Sequence, residues 1–277
     1  SALFDVPVIC IDNQHAITNL KYSIPKKYRK DYYTTKAIII ALTPNIDYNL
    51  ITTFFYLPIK NKKTFIFPPI LRKEILNLKT SRQDYVLVYQ TSSTNFKLTD
   101  MLKQIKQKFI VYGFNVDKVE GNLTYRKFNE NKFFDDFRNC KACIANGGYS
   151  FISEAVSLHK PVLCIPIQKQ FEQIINALHI NRLGYGEHYD ELNIDRIRKF
   201  IKNCDKYYEN LKKFKKEDNV KIIKKINEII EYETNKRNKG VVTFEKEKWK
   251  KRVIIQKDKL KKIIQQIKQE LKDEFMR

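Results

Sequence analysis

Three short stretches gather the side chains able to do chemistry, and each follows an apolar, β-branched run. In residues 146–161, NGGYSFISEAVSLHKP, Gly147 and Gly148 stand side by side in a chain with only 7 glycines. Glycine there permits positive φ or the close approach of a ligand to the backbone. Ser150 suits the N-cap of a helix running to about His159, which Lys160-Pro161 ends. Glu154 then falls in the first turn or just beyond. The spacing leaves two readings open: an acid stabilised by the helix dipole, or an acceptor for a vicinal diol such as a ribose. The second stretch, QTSST (90–94), offers hydroxyls and amides ahead of a helix, which suits a capped turn or an anion. The third, PIQKQFEQIINA (166–177), crowds Gln168, Gln170, Glu172, Gln173 and Asn176 at a strand end. Such amides and carboxylates are the groups that hydrogen-bond sugar hydroxyls.

Other reactive residues point elsewhere. Cys140 and Cys143 have redox or metal spacing but no second pair, and Cys10, Cys143 and Cys164 sit in apolar runs. The five cysteines therefore read as structural thiols of a reducing compartment. His15 follows the strand-like VPVICID and reads either as structural or as a side chain facing a cleft. There is no Asp-x-Asp cluster and no His/Cys ligand set.

The elements that must hold these residues alternate. Strands are expected at 6–11, 50–56, 64–67, 85–89, 109–113, 121–128, 142–146 and 161–167. Helices are expected near 27–42, 96–108, 130–138, from 150, and near 170–183. That alternation predicts βαβ units, hence an α/β fold with a Rossmann-like parallel sheet. Near-continuous apolar strands such as YVLVY and PVLCIPI fit a sheet covered on both faces. In such sheets ligands bind beyond the carboxyl ends of the strands, where all three stretches fall. From about 193 the chain turns helical and basic, ending in the amphipathic segment 259–275, which either packs on its own domain or lies on a membrane or partner surface.

Of 277 residues, 43% are hydrophobic and 13% aromatic, which argues for a folded core. No apolar run reaches membrane-spanning length, and no leader of signal-peptide type opens the chain. Net charge is +22; residues 199–277 carry 25 basic and 13 acidic side chains, +12, leaving +10 for the rest. An excess spread this way reads as compositional drift with a preference for anionic surfaces. Zinc-finger spacing and an RNP-type aromatic signature are absent, so no specific nucleic-acid partner is expected.

Residues 146–186, NGGYSFISEAVSLHKPVLCIPIQKQFEQIINALHINRLGYG, resemble the donor-binding segment of the two-domain (GT-B) glycosyltransferases. The likeness is greatest to enzymes related to the N-acetylglucosaminyltransferase that completes the lipid-linked peptidoglycan precursor, and to teichoic-acid-type glycosyltransferases. Asp12-Asn13-Gln14-His15 and Pro68 through Arg72 extend it to roughly residues 5–200. The resemblance implies that Glu154 binds ribose hydroxyls and that Ser92 and Arg72 contact the diphosphate. It places the nucleobase at Phe128 and the sugar at Glu172, Gln173 and Asn176. Gly147, Gly148 and Ser150 would give the nucleotide-sugar close access to the helix start.

It also implies transfer from a nucleotide diphosphate sugar, uridine being the expected base, to a lipid-linked or polymer acceptor, with no metal and no cofactor. Acceptor site and base would belong to an N-terminal domain whose glycine-rich opening is missing here, leaving His15 as a candidate base. Residues 1–70 would be the end of that domain and the linker, 71–200 the donor domain, and 201–277 a basic helical region. The expected setting is cytoplasmic, peripheral at the inner membrane face. The alternatives are a nucleotide-sugar 2-epimerase of the same fold, and a basic protein that binds nucleic acid or anionic surfaces.

Overall fold

The computed structural model describes residues 6–43, 45–90, 96–238 and residue 265. The chain forms two compact units, Ser1–Ile70 with Asp218–Arg277, and Leu71–Glu217.

In the first unit β1 (Ile9–Asp12) leads into α1 (His15–Asn19), a 3-10 turn at Lys26–Tyr28, α2 (Arg29–Leu42), β2 (Tyr48–Thr52) and β3 (Thr64–Phe67). The strands form a parallel sheet in the order β1-β2-β3. Parallel neighbours cannot be joined by a tight turn, and α1 and α2 supply the crossover from β1 to β2. Leu50, Ile51, Ile17 and Leu20 fill its core. The strand expected over 50–56 stops at Thr52, and Phe54 and Phe55 bury their rings just beyond it.

The second unit continues through α3 (Lys73–Asn77), β4 (Tyr85–Tyr89), α4 (Phe96–Lys103), β5 (Lys108–Tyr112), β6 (Lys118–Glu120), β7 (Leu123–Arg126) and α5 (Glu130–Asn139). It then runs through β8 (Ala142–Ala145), α6 (Tyr149–Ser157), β9 (Val162–Cys164), α7 (Phe171–Arg182), β10 (Gly186–His188), α8 (Ile194–Lys202) and α9 (Cys204–Leu211). Its sheet has the order β10-β9-β8-β4-β5-β7-β6, parallel throughout except for β6 against β7. Strand order reverses between β4 and β8, whose ends pair Tyr89 with Ala145. Such a switch point opens a crevice beyond the strand ends. Val88, Val111, Ile144 and Leu163 fill the centre, with Ile197 and Phe200 of α8 packed against them.

The strand expected over 121–128 is β7, shortened to Leu123–Arg126, and the β6 that precedes it and pairs antiparallel with it was not expected. Gly121 at φ 60° turns β6 back as β7, and Asn122 Nδ2 donates to the carbonyls of Leu102, Ile105 and Gln107. That side chain also closes the loop after α4, which ends at Lys103 rather than near 108. The described helices beyond 193 divide between the two units. Helices α8 and α9 stay with the second unit, whereas α10 (Val220–Asn238) belongs to the first, where Ile222 and Ile229 pack on Tyr48 and Leu50. Tyr48 donates its hydroxyl to Glu233 Oε1 at 2.5 Å. The amphipathic stretch at 259–275 lies, but for Gln265, outside the described residues.

Candidate functional site

The site assembles from the start of α6. Strand β8 is buried along its whole length, and the chain must turn sharply out of it. Gly147 makes that turn at φ 112°, and a Cβ there would stand 3.0 Å from the Gln173 carbonyl. Asn176 Nδ2 donates to the Gly147 carbonyl at 3.2 Å, tying the turn to α7. Gly148 differs: it is exposed, it is the N-cap, and nothing lies within 4 Å of where its Cβ would be. Ser150 is therefore not the cap. It is the second residue of α6, exposed, and accepts from Ser153 Oγ through its carbonyl.

That shift carries Glu154 into the second turn, beyond the reach of a first-turn acid. The residue is 8% exposed and its carboxylate is held by a fork. Arg72 donates Nε to Oε1 at 2.8 Å and Nη2 to Oε2 at 3.0 Å. The same guanidinium gives Nη1 to Glu130 Oε1 at 3.3 Å and lies 4.7 Å from the Phe134 ring centroid. Burial pushes the Glu154 carboxyl above the ordinary value, although the Arg72 contact opposes it. A bidentate Arg uses two of about four acceptor positions of a carboxylate, which leaves Glu154 able to take further hydroxyl donors.

Glu154 and Arg72 border a cavity of about 320 Å³ whose remaining walls include Phe128, Tyr89, Phe133 and Gly148. Phe128 is 62% exposed, with its ring 5.5 Å from that of Phe133. Tyr89 stacks on Phe151 at 5.1 Å, fixing the opposite wall. The arrangement is an aromatic cleft with one buried acid, one cation and an open helix start, suited to a flat ring joined to a diol and an anion.

Six of the residues singled out from the sequence thus relate directly to this place: Arg72, Phe128, Gly148, Ser150 and Glu154 line the cavity, and Gly147 supports it. The polar cluster on α7 does not line it. Gln173 accepts from the Ile167 amide and donates to Gln170, Asn176 is fully buried under Gly147, and Glu172 sits in the first turn of α7. Asn176 Oδ1 has no hydrogen-bond partner among the described residues. Ser92 lies outside the described residues. Glu130, Phe133 and Phe134 were not singled out. Their signal was Asn129 capping a helix directly after Phe128, which brings the FF pair back over it.

His15, in the first unit, is buried between partners. Nδ1 meets Asp12 Oδ2 at 2.7 Å and Nε2 meets Thr43 Oγ1 at 3.0 Å, with Cys10 Sγ 3.5 Å from Nδ1. Burial raises the Asp12 carboxyl, but its contacts with His15 outweigh that and hold it below its ordinary value. With both ring nitrogens engaged, His15 is built as a fastening of the β1–α1 turn. Cys140 and Cys143 are buried with their Sγ atoms 3.6 Å apart.

The model of glycosyl transferase family 1 matches residues 2–205. The chain belongs to that family. Its fold is the Rossmann-like GT-B kind, as in CalG4, the calicheamicin glycosyltransferase. That structure matches at a TM-score of 0.52 and 15% identity over 77% of this chain and 64% of its own length. The glycotransferase of kitacinnamycin matches at 0.49 and 16% identity over 60% of this chain and 49% of its own. Os79 from O. sativa, solved in complex with UDP, matches at 0.40 and 15% identity over 50% and 36%. This family 1 chain therefore spans about a third to two thirds of the length of those structures. No curated protein matches it.

Proposed function

We propose that the second unit is the donor-binding part of a glycosyltransferase that moves a sugar from a uridine diphosphate sugar to a lipid-linked or polymer acceptor. The observation that carries this reading is the buried, Arg72-held Glu154 opening on an aromatic cavity at the sheet's switch point. In this reading the ribose diol donates to Glu154, the base lies along Phe128, and Arg72 with the start of α6 faces the diphosphate. A leaving diphosphate gains from fixed donors and a helix N-terminus, so these groups can stabilise it without a metal. Family membership favours transfer over epimerisation. No helix among the described residues is long and apolar enough to cross a membrane, and the +22 charge suits a peripheral approach to an anionic inner face.

Calorimetric titration with UDP tests the donor reading. One saturable site is expected, lost in Glu154→Gln while thermal unfolding stays cooperative. UDP binding that survives both Glu154→Gln and Arg72→Ala would sink it.

A further inference from the structure

The first unit holds a second concavity, of about 490 Å³, that the donor reading leaves unused. Its walls come from the segment after α1 and the first two turns of α2. They carry Lys21, Tyr22, Arg29, Tyr32 and Tyr33, with Lys60 from the approach to β3. Among the described residues no carboxylate lines it. Lys36 stands beside it, with Nζ 5.8 Å from the Tyr32 ring centroid, close enough for its charge to act on Lys60.

Two features separate this place from an ordinary solvated basic face. The aromatic walls brace one another: Tyr22 meets Tyr32 at 6.5 Å and Tyr32 meets Tyr33 at 5.0 Å, both edge-on. The concavity is thus built, not left between loose side chains. The cations also stand at their own expense. Lys21, Arg29 and Lys60 stay exposed, but partial desolvation first, then the charges of Lys36 and Lys21, push Lys60 down to about 8. Like charges gathered without an acid raise the free energy of the unit, and an anion seated among them would relieve it. One carboxylate would leave most of that charge unanswered, whereas a phosphate or diphosphate brings two or more negative charges to one spot, with acceptor oxygens for the ammonium, guanidinium and phenol donors.

We propose that this cavity binds the phosphate or diphosphate group of a ligand other than the donor nucleotide. Assigning that group to the acceptor, a phosphorylated polyprenol being one source and a soluble diphosphate the other, rests on the transferase reading; the binding itself does not. Inorganic pyrophosphate is the probe, titrated into the full chain by calorimetry at low salt and pH 8 beside UDP. With UDP saturating the donor site, one further saturable pyrophosphate site is expected, weakened about tenfold or more, some 1.4 kcal/mol, in Lys60→Ala and in Arg29→Ala. UDP itself should bind both variants unchanged.

With Lys60 pushed down to about 8, seating the anion at pH 8 should draw in a fraction of a proton. Heats measured in buffers of different ionisation enthalpy read that uptake. Vesicles with and without a polyprenyl phosphate separate the sources. Co-sedimentation that needs the phosphate and fails in Lys60→Ala assigns the lipid, and pyrophosphate binding alone assigns the soluble group. No saturable pyrophosphate binding, or binding untouched in both Lys60→Ala and exposed Arg29→Ala, overturns the proposal whatever UDP does.

Discussion

Arg72 and Glu154 hold each other in place, and their burial is unequal: the Arg72 side chain is 47% exposed, that of Glu154 10%. Removing the arginine strands a buried carboxylate, whereas removing the acid only frees a half-exposed cation. Arg72→Ala should therefore cost about 1–3 kcal/mol at pH 7 by urea unfolding. The loss should shrink toward acid pH, where the raised Glu154 carboxyl can take a proton. The adjacent glycines divide in the same manner. Gly147→Ala should destabilise by about 1–3 kcal/mol, because φ 112° and the Gln173 carbonyl both oppose a side chain. On the donor reading, Gly148→Ala should lower the melting temperature much less than Gly147→Ala but weaken UDP, since its open side borders the cavity. Equal melting temperatures for the two variants would contradict this division. The sequence showed that something at Gly-Gly needed bare backbone, but not which residue served the fold. That depends on Gln173 and Asn176, brought in by α7 from outside the local spacing.

At the scale of elements, α7 braces the site instead of lining it, and its inner face carries His179, which is 3% exposed. The ring donates Nδ1–H to the Ile175 carbonyl at 2.8 Å. Burial, with Arg182 nearby, holds His179 at about 4, below its ordinary 6.5, although the Ile175 bond opposes the shift. A base whose folded value is depressed contributes stability that is whole above pH 6.5 and is lost as pH falls toward 4. The loss should reach about 3 kcal/mol by linkage. Urea midpoints at pH 7 and pH 4.5 should converge more closely in His179→Gln than in the natural chain. The strand–helix alternation was legible because apolar runs and helical periods are local properties. The β6–β7 hairpin was not, since Gly121-Asn122 makes its turn through one glycine φ and three carbonyls of a distant loop. Glu154 was legible as a candidate; its partner Arg72 became one through the resemblance, as the two are 82 positions apart.

For the whole molecule, the basic tail divides its duties. Helix α10 covers Tyr48 and Leu50 with Ile222 and Ile229, and Lys225 lies 4.3 Å from the Phe65 ring centroid. A chain ending at Glu217 should lose several kcal/mol from the first unit, at about 1.5–3 kcal/mol for each large apolar side chain uncovered. Scanning calorimetry should show the transition of that unit falling while that of the second holds. A first transition left in place would show that α10 is dispensable. The period of VKIIKKINEIIEY announced an amphipathic helix, but the surface its stripe meets lies some 170 residues earlier, out of reach of periodicity.

That return path has a consequence in time. The chain leaves the first unit at Ile70 and rejoins it at Asp218. Synthesis at about 5–20 residues per second puts roughly 7–30 s between those two points. During that interval Tyr48 and Leu50 have been made but their cover has not, while Leu71–Glu217 emerges complete. The later-encoded unit is thus free to finish first, and the earlier one matures only when α10 leaves the ribosome.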